Sequence, residues 1–186
     1  MRIISGDFGG RKLKAVPGMK TRPTTDKIKE NIFNIIGPYF QGGTVLDMYA
    51  GSGGLSIEAV SRGMDRAILI DKQFAAIKTI NENIKVTKSA DQFTVLKGDA
   101  KKIIHSLATK EYQFDLVFFD PPYALQTIEQ DIIDLIKLHL LKEDVTIICE
   151  ISDEVVLPDK IGFLGKQREQ HYGITKIVIF KGELEK

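Results

Sequence analysis

Five short apolar runs alternate with amphipathic stretches along most of this chain, and that alternation restricts the fold more than any other feature. The runs are Thr44–Met48, Ala67–Asp71, Phe93–Leu96, Phe114–Phe119 and Val145–Ile151. Between them lie segments of helical periodicity, Leu55–Arg62, Phe74–Val86, Ala100–Leu107 and Glu129–Leu141. Parallel strands need a crossover of a dozen or more residues, usually a helix, and strands buried on both faces read as continuous apolar runs. The spacing therefore predicts right-handed βαβ units in an α/β, doubly wound, mostly parallel sheet with helices on both faces. Towards the C-terminus Lys160–Leu164 and Ile174–Phe180 are β-rich, joined by the polar stretch Gly165–Gly173. They predict a terminal β-hairpin that brings the sheet to seven strands.

The N-terminal forty residues differ. Arg2–Ser5 and Arg11–Ala15 flank Gly6-Asp7-Phe8-Gly9-Gly10, the pattern of a small hairpin. Thr24 or Thr25 then caps a helix carrying Ile28, Ile32, Phe33, Ile35 and Ile36, which ends towards Gly37-Pro38. A length of 186 residues suits one domain. We expect a hairpin-and-helix extension over 1–40 and a catalytic core over 41–186. The whole chain has a formal charge of +1, too little to coat nucleic acid by bulk charge. Residues 1–30 nevertheless hold eight basic against three acidic residues, a net of +5, leaving −4 for the remainder. Arg11, Lys12, Lys14 and Arg22 thus suggest an arm for a polyanion, with a solvated hairpin face as the equally weighted alternative.

Three constellations carry chemistry. The first is Asp47-Met48-Tyr49-Ala50-Gly51-Ser52-Gly53-Gly54-Leu55-Ser56, a Gly-rich turn between the first strand and its helix. Such a turn lets backbone approach a ligand at a helix N-terminus. A dinucleotide fingerprint would end in Gly or Ala where this chain has Ser56, and Asp47 would repel a pyrophosphate. Asp47 suits instead a ligand bearing a cationic amino-acid moiety. The second constellation is the acids ending the next two strands. Asp71 lies twenty residues after Gly51, where a carboxylate can accept from both ribose hydroxyls, and Asp99 could accept from an adenine amino group or simply cap the following helix.

The third is Asp120-Pro121-Pro122-Tyr123, which follows the fourth strand at the edge where open α/β sheets bind ligands. Two prolines remove two donors and stiffen the turn, leaving a carboxylate and an outward carbonyl beside an aromatic ring. These acceptors can grip an exocyclic amino group by its hydrogens while the ring stacks on the base. An aryl amine is a poor nucleophile because its lone pair is delocalised. Drawing both hydrogens out of the ring plane turns that lone pair towards a sulfonium methyl, so that positioning and oriented acceptors supply most of the catalysis. No strong general base is required, since the methylated nitrogen becomes acidic once it carries positive charge.

On these residues the chain resembles the class I S-adenosylmethionine-dependent methyltransferases, and more narrowly the RsmD family of 16S ribosomal RNA guanine-N2 methyltransferases. The resemblance rests on Arg22–Glu30 with Phe33-Asn34, on Asp47–Gly54 with Glu58-Ala59 and Ser61-Arg62-Gly63, on Asp120–Tyr123 and on Tyr172–Thr175. Met48-Tyr49 departs from the commoner Leu-Phe, and Lys27 and Lys29 stand where arginine is frequent. The resemblance implies a Rossmann-like methyltransferase fold and S-adenosylmethionine as cofactor, without a metal. It implies that Asp47, Ala50, Gly51, Ser52 and Gly53 hold the methionine end, Asp71 with Lys72 the ribose, and Asp99 with Ala100 the adenine. Asp120, Pro121, Pro122 and Tyr123 would form the catalytic turn, Tyr123 stacking on a flipped guanine. Arg11, Lys12, Lys14, Arg22 and Thr24 would meet 16S rRNA of the small ribosomal subunit or its assembly intermediate.

Other readings remain open at this point. An adenine-N6 or cytosine-N4 DNA methyltransferase uses the same turn but usually carries a separate recognition domain. A small-molecule or protein-glutamine methyltransferase would leave the basic arm without a purpose. A non-catalytic RNA-binding assembly protein would not need the Gly loop and the Asp120 turn together. Cys149 alone excludes an intramolecular disulfide and reads as a buried thiol, and His105, His139 and His171 lack ligand spacing. No run of about 18 apolar residues is present, so we expect a cytoplasmic protein that does not enter a membrane, and the resemblance implies a monomer.

Overall fold

In a computed structural model, which describes residues 1–18, 25–122 and 127–183, every predicted strand–helix alternation is realised. Two compact units are described, Met1–Ala100 and Lys101–Lys186.

In the first unit, helix α1 (Asp26–Ile36) precedes strand β1 (Thr44–Asp47), helix α2 (Gly54–Ser61), strand β2 (Arg66–Asp71), helix α3 (Phe74–Thr87) and strand β3 (Phe93–Lys97). β1 pairs in parallel with β2, Leu46 opposite Ile68, and β2 with β3, Ile70 opposite Leu96. Val45, Leu46, Ile68, Leu69 and Ile70 are all buried, as both-face coverage requires. Thr25 caps α1, its hydroxyl accepting from the Ile28 N–H at 3.2 Å, and Ile32 and Phe33 fix the buried side of that helix. Thr24, the other candidate cap, lies outside the described residues, as does Arg22.

The N-terminal hairpin is built from a single antiparallel bridge, Arg2 with Lys12, extended by Gly10 N–H to Ile3 O and Leu13 N–H to Met1 O. With so short a ladder it cannot stand alone, and it is fastened to α2 instead. The Glu58 carboxylate accepts the N–H groups of Ile4 and Ser5 at 2.8 and 3.1 Å, and Ser61 takes those of Asp7 and Phe8. Gly6 has φ +89°, and a Cβ there would lie 1.9 Å from the Ser61 carbonyl oxygen, so only glycine allows the hairpin tip to sit this close to the helix.

In the second unit, helix α4 (which begins at Ala100 and runs to Thr109) leads to strand β4 (Phe114–Phe119), helix α5 (Ile128–Lys137) and strand β5 (Leu141–Ser152). Strands β6 (Lys160–Ile161), β7 (Leu164–Tyr172) and β8 (Thr175–Gly182) complete it. β4 and β5 are parallel, while the pairs β5–β8, β8–β7 and β7–β6 are antiparallel. α5 stops earlier than its apolar pattern suggests, because His139 turns to φ +55° and Leu141 already belongs to β5. Cys149 is fully buried in β5, and burial pushes its thiol far above the usual range.

The terminal hairpin differs from the sequence expectation. Its arms are β7 and β8, turning at Gly173-Ile174, so the polar stretch Gly165–Gly173 is mostly strand and only Lys160–Ile161 forms β6. Among the described residues the strands therefore number eight rather than seven. β7 lacks apolar alternation because most of its side chains from Lys166 onward face solvent, whereas β8 is buried from Lys176 to Phe180. Among the described residues no helix is long and apolar enough to cross a membrane.

Candidate functional site

In the first unit, main-chain and carboxylate bonds tie the ends of β1, β2 and β3 together. Ala50 N–H donates to Ile70 O at 2.9 Å, and Gly51 N–H donates to the Asp71 carboxylate at 2.9 Å. Asp71 also takes the Gln73 N–H at 2.9 Å, and its own carbonyl takes the Gly98 N–H at 3.0 Å. Asp71 is thus the joint of three turns, and its second lone pairs remain available to hydroxyl donors. Lys72, next to it, is exposed. Asp99 is exposed immediately before α4, and Ala100 is buried as the first residue of that helix.

The Gly loop takes the backbone that glycine makes accessible. Gly51 has φ +56° and nothing within 4 Å of where a Cβ would stand, so this edge of the loop is open. Gly53 has φ +81°, and its Cβ would press Leu69 at 3.1 Å. Ser52 lies between them, half-buried.

Asp47 closes β1 at 2% exposure, and the Ser56 hydroxyl donates to its carboxylate at 2.7 Å. Burial pushes the Asp47 carboxyl up to about 7, the Asp71 charge adding to the rise while Ser56 and the Tyr49 N–H oppose it. Ser56, which breaks the dinucleotide fingerprint in the sequence, is therefore the hydroxyl that partners Asp47. A carboxylate held so reluctantly ionised suits a cationic group that would restore its charge, and Asp71 offers acceptors for hydroxyls. These acceptors fit the amino-acid and ribose ends of S-adenosylmethionine.

In the second unit, Asp120-Pro121-Pro122 follows the last residue of β4. Asp120 is half-buried, Pro121 buried and Pro122 exposed, while Tyr123 lies outside the described residues. Among the described residues no group of three or more His, Cys, Asp or Glu could hold a metal ion.

The arm residues have separate environments. The Arg11 guanidinium donates to the carbonyls of Val86 and Thr87 at 3.0 Å each and lies 5.5 Å from the Phe8 ring centroid. It caps the C-terminus of α3, a structural role the sequence did not announce. Lys12 is exposed, and the exposed Lys14 ammonium is 3.3 Å from Glu82.

Two further groups escape sequence reasoning. Lys29 and Glu58 are a buried pair at 3.5 Å, and Arg62 Nε donates to Glu58 at 2.8 Å. Burial pulls the Lys29 ammonium below its usual value against the opposing pull of Glu58. The four-residue spacing of Glu58 and Arg62 is the one signal that could have found this pair, and nothing in the sequence joins Lys29 to it. Asn83, at 1% exposure, bridges the arm and the Gly loop, and nothing in its local sequence marks it.

Known proteins resemble this chain along nearly its whole length. The family described as "Conserved hypothetical protein 95" matches residues 1–181. YlbH of Bacillus subtilis is 46% identical over 181 residues, covering 97% of this chain and 98% of its own. Ribosomal RNA small subunit methyltransferase D of Haemophilus influenzae is 32% identical over 184 residues, covering 97% and 93%. The solved structure of yhhF from Escherichia coli, 31% identical, superposes with a TM-score of 0.81 over 100% of this chain and 99% of that one. With its α/β Rossmann-like methyltransferase fold and a match along nearly its whole length, this chain belongs to the RsmD family of methyltransferases.

Proposed function

We propose that this protein transfers a methyl group from S-adenosylmethionine to the exocyclic N2 amino group of a guanine in 16S rRNA, within the small ribosomal subunit or its assembly intermediate. The observation that carries the cofactor half is the closure of the Gly loop on Asp71, with Asp47 buried at the end of the neighbouring strand. The substrate half is supported by the Asp120-Pro121-Pro122 turn after β4 and by relatives whose name specifies small-subunit rRNA.

When bound, S-adenosylmethionine supplies the methyl as an electrophilic sulfonium substituent. Asp47 pairs with its ammonium, the Gly51–Gly53 backbone leaves room for its methionine end, and Asp71 with Lys72 takes the ribose. Asp99, with Ala100 behind it, addresses the adenine. Asp120 accepts a hydrogen of the guanine amino group and turns the nitrogen lone pair towards the methyl, with Pro121 and Pro122 holding the turn rigid. Tyr123 stacks on the extruded base, worth about 1–3 kcal/mol. Lys12, Lys14, Arg22 and Thr24 meet the RNA backbone, while Arg11 holds the arm in shape. The same reading makes the protein a cytoplasmic monomer that needs no metal.

Nucleoside mass spectrometry tests it. Small subunits from cells lacking the protein should gain N2-methylguanosine on incubation with the purified enzyme and cofactor. Label entering DNA or protein instead would keep the cofactor assignment and overturn the substrate.

A further inference from the structure

The arm and the Gly loop are joined through one side chain. The Asn83 amide donates to Lys14 O and to Ser52 O, both at 2.9 Å, and its carbonyl oxygen accepts the Lys14 N–H at 2.8 Å. All three bonds run from a buried residue on α3. Beside this link, Met1 Sδ lies 3.9 Å from Ser52 Oγ. Ser52 is flanked by Gly51, whose N–H is fixed on Asp71. A continuous polar path therefore runs from the backbone of the basic arm through Asn83 to the loop and on to the carboxylate assigned to the ribose.

We propose that Asn83 is a positioning residue that couples the two ligands, so that RNA engaging the arm and cofactor engaging the Gly loop strengthen each other's binding. The inference rests on the proposed function. The Asn83 amide is satisfied only when arm and loop occupy these positions together. A loop ordered by cofactor holds the Ser52 carbonyl on Asn83 and with it the Lys14 strand, and an arm seated on RNA holds the loop. Such coupling is reciprocal by thermodynamic necessity and commonly amounts to at least about fivefold in affinity. Neither Asn83 nor the Lys14 main chain needs to touch either ligand.

Calorimetry with S-adenosylhomocysteine, with and without undermethylated small subunits, reads the coupling directly. We expect the full-length native protein to bind the nucleoside at least about fivefold more tightly in the presence of subunits. Asn83→Asp keeps shape and acceptor but loses both donors, and should bring that ratio close to one. A residue that only stabilises the fold would lower the unfolding temperature and leave the ratio intact. Because the variant could fail to fold, hydrogen exchange on the native protein gives a second reading. The Lys14 amide should exchange more slowly when S-adenosylhomocysteine saturates the enzyme. A native ratio of one, a ratio retained in the folded variant, or an unchanged Lys14 amide each overturns the coupling. Absence of S-adenosylhomocysteine binding altogether would overturn the proposed function, and the coupling with it.

Discussion

The Gly51 amide and the Asp71 carboxylate, twenty residues apart in the chain, meet at 2.9 Å and set the curvature of the loop assigned to the cofactor. One side chain thereby shapes the loop and presents its remaining lone pairs to a ligand. Asp71→Ala should raise the dissociation constant of S-adenosylhomocysteine by about 10–100-fold, since charge-assisted hydrogen bonds are worth about 1.5–3 kcal/mol each. Asp71→Asn, which keeps one acceptor, should lie between the two. Titration calorimetry checks both, and wild-type affinity in Asp71→Ala would remove Asp71 from the site.

Asp47 gives the site a pH dependence. Because burial raises its carboxyl to about 7, the folded protein keeps a proton that the unfolded chain releases near pH 4. The resulting stabilisation is fully present below the unfolded value and is lost as pH rises through about 7. Cofactor binding should run the other way, because the ionised carboxylate is the form that pairs with an ammonium. Affinity for S-adenosylhomocysteine is expected to climb by about fivefold between pH 6 and pH 7 and to level by about pH 8. Asp47→Asn should flatten that profile, as followed by calorimetry across the same range.

Asp120 is assigned to the amino group of the base and to nothing in the cofactor. Asp120→Ala should lower the methyl-transfer rate by about 10²–10³-fold, the loss typical of removing one oriented polar group from a transition state. Cofactor affinity should stay within a few-fold. Single-turnover methylation of undermethylated small subunits, run beside a binding titration, separates the two. Collapse of both together would contradict this division of roles.

Glu58 holds two cations and two amides, all in or against the N-terminal arm. Glu58→Ala leaves Lys29 and Arg62 buried without their carboxylate and frees the Ile4 and Ser5 amides. Breaking a buried pair in this way costs about 3–5 kcal/mol. Urea unfolding should show a loss of that size, and a change below about 1 kcal/mol would mean that the arm is held by other contacts.

Arg11 and its neighbours should part company experimentally. Neutralising Lys12 and Lys14 together should weaken subunit binding and reduce the magnitude of its logarithmic salt slope by about one to two. Arg11→Ala should instead lower stability by about 0.3–2 kcal/mol through loss of the cation at the C-terminus of α3. Filter binding over a salt series and thermal unfolding distinguish them. An unchanged slope in Lys12→Ala/Lys14→Ala returns the hairpin to a solvated face.

The strand–helix alternation, the Gly51–Gly53 turn and the acids at the strand ends were readable from the sequence because each is local. A period of two or 3.6, a glycine at positive φ and a carboxylate after an apolar run leave their mark within a few neighbouring residues. β7 was less legible, since its side chains from Lys166 onward face solvent and its order derives from pairing with β8. Tertiary structure alone decided which distant groups satisfy which. Arg11 finds the end of α3 across 75 residues, Glu58 the hairpin amides across 54, and Asn83 the Lys14 backbone across 69. Hydrogen bonding is directional and spans about 3 Å, so a partner is defined only when the fold has brought two strangers in sequence into contact. The residue types were printed in the chain; their partners were set by the packing of arm, α2 and α3.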